Sequence, residues 1–282
     1  MKLGLSKKFK NKRAFITGAA SGLGKAFAEL LYQDGWTLGL ADNQMEELDK
    51  LKQKFGNDNS RIRFYFLDVS QPKDYEIVTQ NYLIYAGGID LLINNAGVGE
   101  GSPFEEYSIE NWNWVIAVNQ MGVLHGCHYF IPSFINQKSG HIVNIASAAA
   151  FANLPGMSPY NVSKAAVLSL SETLFAEYKS NGLGVSVVMP TFFKTNIVEK
   201  ARGTEESKEM ARLLIANSGL EADEVALRIL KAVARNKFYI ILPAKSWILW
   251  SLKRLFPRMV LSLNAWIHKN QNYFKERMKK RK

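Results

Sequence analysis

Four residues carry the chemistry legible in this chain of 282 residues: Asn119, Ser147, Tyr160 and Lys164. Tyr160 and Lys164 form a Tyr-x-x-x-Lys pair, and residues four apart on a helix share a face. An ammonium beside a phenol favours the phenolate, so the Tyr160 pKa is expected to fall from ~10 toward working pH. A phenol so tuned can take or give a proton during carbonyl chemistry. Ser147, thirteen positions before Tyr160, can donate a second hydrogen bond there. A lone pair of this type arises by chance in many helices. Its weight comes from what stands upstream.

Residues 13–16 are a short apolar run that reads as a buried strand. They lead into Thr17-Gly18-Ala19-Ala20-Ser21-Gly22-Leu23-Gly24, and residues 25–33 then show helical periodicity. Strand, glycine loop and helix together cradle a pyrophosphate on helix N-terminal amides. For the glycines alone, a plain turn is an equal reading. The next strand, 36–41, ends at Asp42, where a carboxylate can accept from both hydroxyls of a ribose and repel a 2′-phosphate. The following Asn43-Gln44-Met45 are neutral. NAD is therefore expected in preference to NADP, with NADP left open by Lys25 beside the loop. Asp42 can equally cap the helix expected at 44–55. A third strand, 62–67, ends at Asp68-Val69, and a fourth, 89–93, at Asn94-Asn95-Ala96-Gly97. Polar or small residues past parallel strands mark the ligand edge of an open α/β sheet.

With these residues assembled, the chain resembles the short-chain dehydrogenase/reductase family over residues 12–242. The resemblance rests on Thr17-Gly18-x-x-x-Gly22-x-Gly24, Asp68, Asn94-Asn95-Ala96-Gly97, Asn119, Ser147, Tyr160, Lys164 and Pro190 in order. It implies hydride transfer between a nicotinamide and a carbonyl or alcohol carbon. Tyr160 is then the acid/base, and Lys164 tunes it while holding the nicotinamide ribose. Ser147 fixes the substrate oxygen, and Asn119 holds a water that links Lys164 to solvent. Ser21 and Leu23 join the glycines around the cofactor, Asp68 and Val69 flank adenine, and Asn95, Ala96 and Gly97 line the adenosine side and buttress the central strand. Pro190 and Thr195 lie at the nicotinamide end. The family also implies a homodimer or homotetramer, paired through the helices carrying Asn119 and Tyr160. One departure is Thr191, where the family usually has Gly. A positive φ is costly for Thr, so either the backbone path differs or the Gly is not needed for its angles.

The elements that must position these residues are a long helix over 116–134 for Asn119, a strand over 142–145 for Ser147, and a helix opened by Pro159 for Tyr160 and Lys164. Strands at 185–189 and 238–242 complete a count of seven. The expected fold is α/β: a doubly wound, seven-stranded parallel sheet of Rossmann-like type in one domain, with a C-terminal helical extension. The expected parts are a basic arm at 1–11, a nucleotide-binding domain at 12–242 and an amphipathic basic extension at 243–282. Phe151, Leu154, Met157, Phe192 and Phe193 are expected to line an apolar substrate pocket or to pack its lid, and an apolar alcohol or ketone follows as substrate.

The net charge of +11 is concentrated at the ends. Residues 1–13 carry six Lys/Arg and no acid, 275–282 carry six and one acid, and the span between is balanced at 24 and 24. A neutral body argues against nucleic acid. Cationic ends suggest an anionic membrane surface, or simply solvated tails. In the extension, Met259, Leu263, Trp266, Ile267, Asn270, Phe274 and Met278 make a mostly apolar stripe. Its uninterrupted apolar runs are far below the ~20 residues that cross a bilayer. It reads either as an interfacial helix or as a helix packed on the body or a second subunit. The start lacks the apolar core of a secretory signal. One cysteine, Cys127, excludes an internal disulfide and suits a reducing, cytoplasmic setting. Cys127 between His125 and His128 is expected to pack, since ligands so close on a helix diverge, and no metal is expected. Three functions stand: an oxidoreductase, a nucleotide-binding membrane scaffold or sensor without turnover, and an epimerase or dehydratase on the same fold.

Overall fold

The computed structural model describes residues 3–56 and 60–270, together with Tyr273, Lys275 and Glu276. Seven apolar runs form one sheet: β1 (Arg13–Thr17), β2 (Thr37–Asp42), β3 (Ile62–Phe66), β4 (Leu91–Asn94), β5 (Gly140–Ile145), β6 (Leu183–Pro190) and β7 (Tyr239–Leu242). Every pairing is parallel, in the order β3-β2-β1-β4-β5-β6-β7. Strands buried on both faces read as continuous apolar runs rather than alternating ones, and β4 and β5 are buried along their whole length. The strand order reverses between β1 and β4, which opens a crevice at their C-terminal ends.

The helices are α1 (Gly22–Gln33), α2 (Met45–Lys54), α3 (Pro72–Ala86), α4 (Ile109–Ile116), α5 (Gly122–Gln137), α6 (Ala149–Ala152), α7 (Ser158–Tyr178), α8 (Glu205–Ala216), α9 (Ala222–Ala234), α10 (Ser246–Leu255) and α11 (Pro257–Lys269). One core packs α1 and α9 on one face of the sheet around Phe27, Leu31 and Ile229. The other packs α3, α5 and α7 around Tyr82, Phe130 and Val167. A two-residue pair joins Glu100–Gly101 to Arg202–Gly203 and so stitches the segment after β4 to the segment after β6.

The single helix expected over 116–134 is corrected. Ser108 caps α4 by accepting from the Asn111 amide at 3.0 Å. A π-helical turn, Ala117–Met121, then separates α4 from α5 and carries Asn119. Such turns are rare and cluster at functional sites.

The basic N-terminal segment packs on the domain. Leu3, Leu5 and Phe9 are buried in the core beside α9, each contributing roughly 1.5–3 kcal/mol. The hydrophobic effect overrides the cationic character of this segment, which docks instead of trailing in solvent. Charges in this segment and just after it have internal partners. Lys8 meets the Asn236 side chain and the His141 Nδ1, the latter at 2.7 Å. Lys12 reaches the Asp34 carbonyl at 2.6 Å, and Arg13 pairs with Asp90 at 3.1 Å.

Beyond β7, α10 and α11 form a helical hairpin. Among the described residues no helix is long and apolar enough to cross a membrane. The basic run 277–282, together with Phe274 and Met278 of the expected stripe, lies outside the described residues.

Candidate active site

The nucleotide end is built by close approach. A Cβ at Gly24 would lie 2.0 Å from the Gly18 carbonyl oxygen, and at Gly18, which takes φ +63°, a Cβ would lie 2.8 Å from the Ala96 α-carbon. Only glycine fits both positions. Asn95 clamps this loop: its Nδ2 donates to the Thr17 and Gly18 carbonyls at 2.9 and 3.0 Å, and the Asn95 and Ala96 amides donate to Thr17 Oγ1. Ser21, the residue before α1, makes no side-chain cap. The first-turn amides of α1 are left to an external acceptor, as phosphate sites require. The glycine cradle and these amides fit a dinucleotide pyrophosphate.

Asp42 is buried at the end of β2. Its Oδ2 accepts from the Ala20 amide at 2.9 Å, and its Oδ1 accepts from the Gln44 amide at 3.1 Å. The carboxylate thus anchors both the glycine loop and the entry to α2. Asp68 accepts from the Ser70 amide and hydroxyl, at 2.9 and 2.7 Å. Val69 is buried, and its carbonyl accepts from His125 Nδ1 at 2.9 Å. Thr195 touches Gly22, its Oγ1 3.2 Å from where a Cβ would stand, while Leu23 is buried in the core.

The proton-handling residues converge from three elements. Ser147 follows β5, Tyr160 and Lys164 lie on the first turns of α7, and Asn119 comes from the π-turn. Lys164 is 3% exposed. Its Nζ donates to the Ile145 carbonyl at 3.0 Å and lies 5.6 Å from the Tyr160 ring centroid. Asn119 is fully buried. Its Oδ1 accepts from the Val98 amide at 2.8 Å, and its Nδ2 donates to the Val98 carbonyl at 2.9 Å and to Ser163 Oγ at 3.2 Å. Ser163 in turn donates to the Tyr160 carbonyl at 2.8 Å. Gly97 lies over this group: a Cβ there would stand 3.2 Å from Asn119 Oδ1 and 3.5 Å from Lys164 Nζ.

One expectation is reversed in this structure. Burial pushes the Tyr160 phenol up, and the neighbouring hydroxyl of Ser147 pulls it part of the way back. Burial also lowers the Lys164 ammonium to about 8. The reason is desolvation, which disfavours the charged form of both groups. The downward pull on the phenol comes from Ser147, and Lys164 gives its hydrogen bond to the Ile145 carbonyl.

The segment after Ser147 forms α6 and then the turn carrying Leu154 and Met157. Asn161 Nδ2 holds the Leu154 carbonyl at 2.8 Å. Leu154, Met157, Phe192 and Phe193 are half-buried. Phe193 also packs against the α1/α9 core. Phe151 is buried, its ring edge-on to Trp250 of α10 with centroids 5.0 Å apart. That contact turns Phe151 toward the extension. Pro190 ends β6 and accepts from the Ala148 amide at 2.8 Å. Thr191 keeps an ordinary negative φ and donates its amide to Leu242 at 2.8 Å, so the Gly missing here is not required by backbone angles.

The His125–Cys127–His128 cluster diverges. Cys127 faces Asn94 and Asn144, with its thiol pushed up to about 12 by burial; His125 faces Val69, and His128 is exposed.

The sequence matches the short chain dehydrogenase family over residues 12–206. The chain belongs to that family. It is a short-chain dehydrogenase/reductase with the oxidoreductase fold of that group. A 3-oxoacyl-(acyl-carrier-protein) reductase, FabG, of Thermotoga maritima is 31% identical over 233 residues, 83% of this chain and 94% of the relative. A cyclohexanol dehydrogenase of an Acinetobacter species is 33% identical over 210 residues, 74% of this chain and 82% of the relative. A crystal structure of a short chain dehydrogenase/reductase from Burkholderia phymatum, in complex with NAD, superposes with a TM-score of 0.83 at 33% identity. It covers 88% of this chain and 94% of that one.

Some site residues of this dehydrogenase escaped the sequence reading. Ser163 links Asn119 to the backbone of Tyr160. The Tyr107 hydroxyl accepts from the Ser158 amide at 3.0 Å and so caps the start of α7. Glu100, at 3% exposure, accepts from Ser102 Oγ at 3.1 Å, and burial raises its carboxyl pKa. The Tyr107–Ser158 contact joins residues 51 positions apart and leaves no local pattern. Ser163 alone had a signal, lying between the two motif residues.

Proposed function

We propose that this protein moves hydride between NAD(H) and the carbinol or carbonyl carbon of a lipophilic alcohol or ketone, with Tyr160 as general acid/base. The observation that carries the reading is the convergence of Ser147, Tyr160 and a buried Lys164, whose Nζ lies 5.6 Å from the Tyr160 ring centroid. NAD, when bound, supplies the hydride acceptor or donor. Gly18, Gly22 and Gly24 with the α1 amides would hold its pyrophosphate, and Asp42 its adenosine ribose. Asp68, Val69, Asn95, Ala96 and Gly97 would line the adenosine side, and Pro190 and Thr195 the nicotinamide end. In oxidation the carbinol proton passes to the Tyr160 oxygen as the carbonyl forms, and in reduction the phenol returns it. Ser147 donates to the substrate oxygen. Lys164 provides positive charge below about pH 8, and a nearby positive charge favours the phenolate. Asn119 sets the position of the Val98 backbone and, through Ser163, of α7.

NAD in preference to NADP is supported by the Asp42 carboxylate, which would repel a 2′-phosphate, and by the NAD complex of the Burkholderia relative. The lipophilic substrate is supported by Leu154, Met157 and Phe192 at the cleft and by the cyclohexanol dehydrogenase relative. Assembly as a homodimer or homotetramer through α5 and α7 is supported by Leu124 and Val162, which stand exposed on those helices.

The test is turnover with NAD and NADP against steroids, retinoids, fatty alcohols and small diols. Tyr160→Phe should lower kcat by about 10²–10⁴-fold while NAD affinity stays within a few-fold. A Tyr160→Phe enzyme with undiminished kcat would remove the acid/base role, and turnover confined to small diols would remove the lipophilic one.

A further inference from the structure

The α10–α11 hairpin exposes an apolar surface that the catalytic domain does not cover. Ile248 is 65% exposed, Leu255 71%, Met259 52% and Trp266 54%. On α10, Ile248 and Leu255 lie seven apart, and on α11, Met259, Leu263 and Trp266 follow the spacing of one stripe. The opposite sides of both helices are anchored. Trp250 and Val260 are buried, and Asn264 is 9% exposed. The hairpin is therefore folded and seated, with a second apolar face turned outward.

Charge selects what covers that face. Residues 243–270 carry five Lys/Arg and no Asp or Glu. Arg254 lies over the Trp250 ring at 4.4 Å and pairs with Glu172 at 3.6 Å. Lys245, Arg258 and Lys269 stand exposed. A second copy docked face to face would bring two acid-free cationic surfaces together, which opposes association. An anionic bilayer complements both features: apolar side chains with Trp enter the acyl boundary while the cations meet headgroups. The helices of 10 and 13 residues are about 15 and 20 Å long, too short for a ~30 Å hydrocarbon core. They suit lying on the surface.

We propose that the exposed face of α10–α11 is a docking surface for an anionic lipid bilayer. This inference goes beyond the reading of the active site and does not depend on it. It has a consequence for the site, because the hairpin is fastened to the segment that follows Ser147. Asn264 Nδ2 donates to the Ala152 carbonyl at 2.6 Å and to the Asn153 carbonyl at 3.3 Å, next to Leu154. Trp250 packs on Phe151. At the far end Lys275 pairs with Glu209 of α8 at 2.6 Å. A bilayer holding the hairpin thus holds the segment between Ser147 and Leu154.

The test is co-sedimentation of the purified full chain with phosphatidylcholine vesicles, with and without 30 mol% phosphatidylserine. The lipid fraction here is a chosen condition, roughly that of an anionic leaflet. Binding is expected on the anionic vesicles, weakly or not at all on the neutral ones, and should fade in high salt. Neutralising two exposed cations, Arg258→Gln with Lys269→Gln, should lower partitioning by about 25-fold, or about fivefold per cation. Trp266→Glu should abolish binding. Unchanged NAD binding and thermal unfolding in each variant would show that the fold is retained, and loss of turnover alone would bear on the active-site reading, not on this one. Absence of binding to anionic vesicles would overturn the proposal. So would equal binding to neutral vesicles, or a self-association lost in Trp266→Glu without any vesicle binding.

Discussion

Asp42 shows how much one side chain is asked to do. Its carboxylate holds the Ala20 amide of the glycine loop and the Gln44 amide before α2. The ribose and capping readings are not rivals, because the two oxygens offer about four lone-pair sites. Asp42→Asn keeps an acceptor for one amide but removes the charge. The expected result is roughly tenfold weaker NAD binding and a reduced preference over NADP, since the repulsion of a 2′-phosphate is lost. Titration with both cofactors checks this, and an unaltered ratio would take Asp42 out of the ribose site. Tyr160 teaches a complementary point. Its spacing to Lys164 correctly marked a pair on one helix, yet spacing says nothing about desolvation. Burial, a property of the folded environment, sets the direction in which each group moves.

At the scale of elements, the glycine loop and the π-turn are each held by one asparagine. Asn95 braces the loop, and Asn119 braces the segment after β4. The loop was legible because a strand, three spaced glycines and a helix leave few other conformations. The π-turn was not, because Asn119 finds its partners at Val98 and Ser163, 21 and 44 positions away. Gly24→Ala tests the close packing of the loop. Its new Cβ would stand 2.0 Å from a backbone oxygen, which cannot move aside as a flexible side chain would. NAD affinity should fall by at least about tenfold, the ~1.4 kcal/mol equivalent of a modest loop shift, while circular dichroism still reports the seven-stranded domain. Unimpaired NAD binding would show that the cradle tolerates a side chain.

Across the whole molecule, the N-terminal arm closes the end of the sheet opposite the cofactor crevice. A buried chain runs from Lys8 through His141 and Ser186 to the Lys237 carbonyl, each link at 2.7 Å. The Ser186 hydroxyl gives its proton to Lys237 and so accepts from His141 Nε2, which leaves Nδ1 to accept from Lys8. His141 is thereby a neutral ring, and burial, followed by the nearby Lys8 charge, keeps its pKa well below the usual histidine range. The unfolded chain takes up a proton near pH ~6.5 that the native state refuses. Stability from this site is thus complete above that pH and is lost as pH falls below it, by about 1.4 kcal/mol per pH unit. Urea unfolding at pH 7.5 and 5.5 should show this loss in the wild type and a smaller one in His141→Gln. Equal losses in the two proteins would assign the pH dependence elsewhere.

Residue order alone determined the seven strands, the crevice edge, the glycine cradle and the Ser147–Tyr160–Lys164 set. Those features follow from short-range rules: apolar runs make buried strands, and helical spacing puts residues on one face. The tertiary structure decided whether each charge stays exposed or gains a partner. Leu5 and Phe9 draw a cationic arm into the core, whereas in the extension Trp250 and Asn264 anchor one face and leave Leu255 and Trp266 outside. The arm and the α10–α11 hairpin are both basic and partly apolar, and the surface each one meets separates them, because apolar burial depends on what lies opposite.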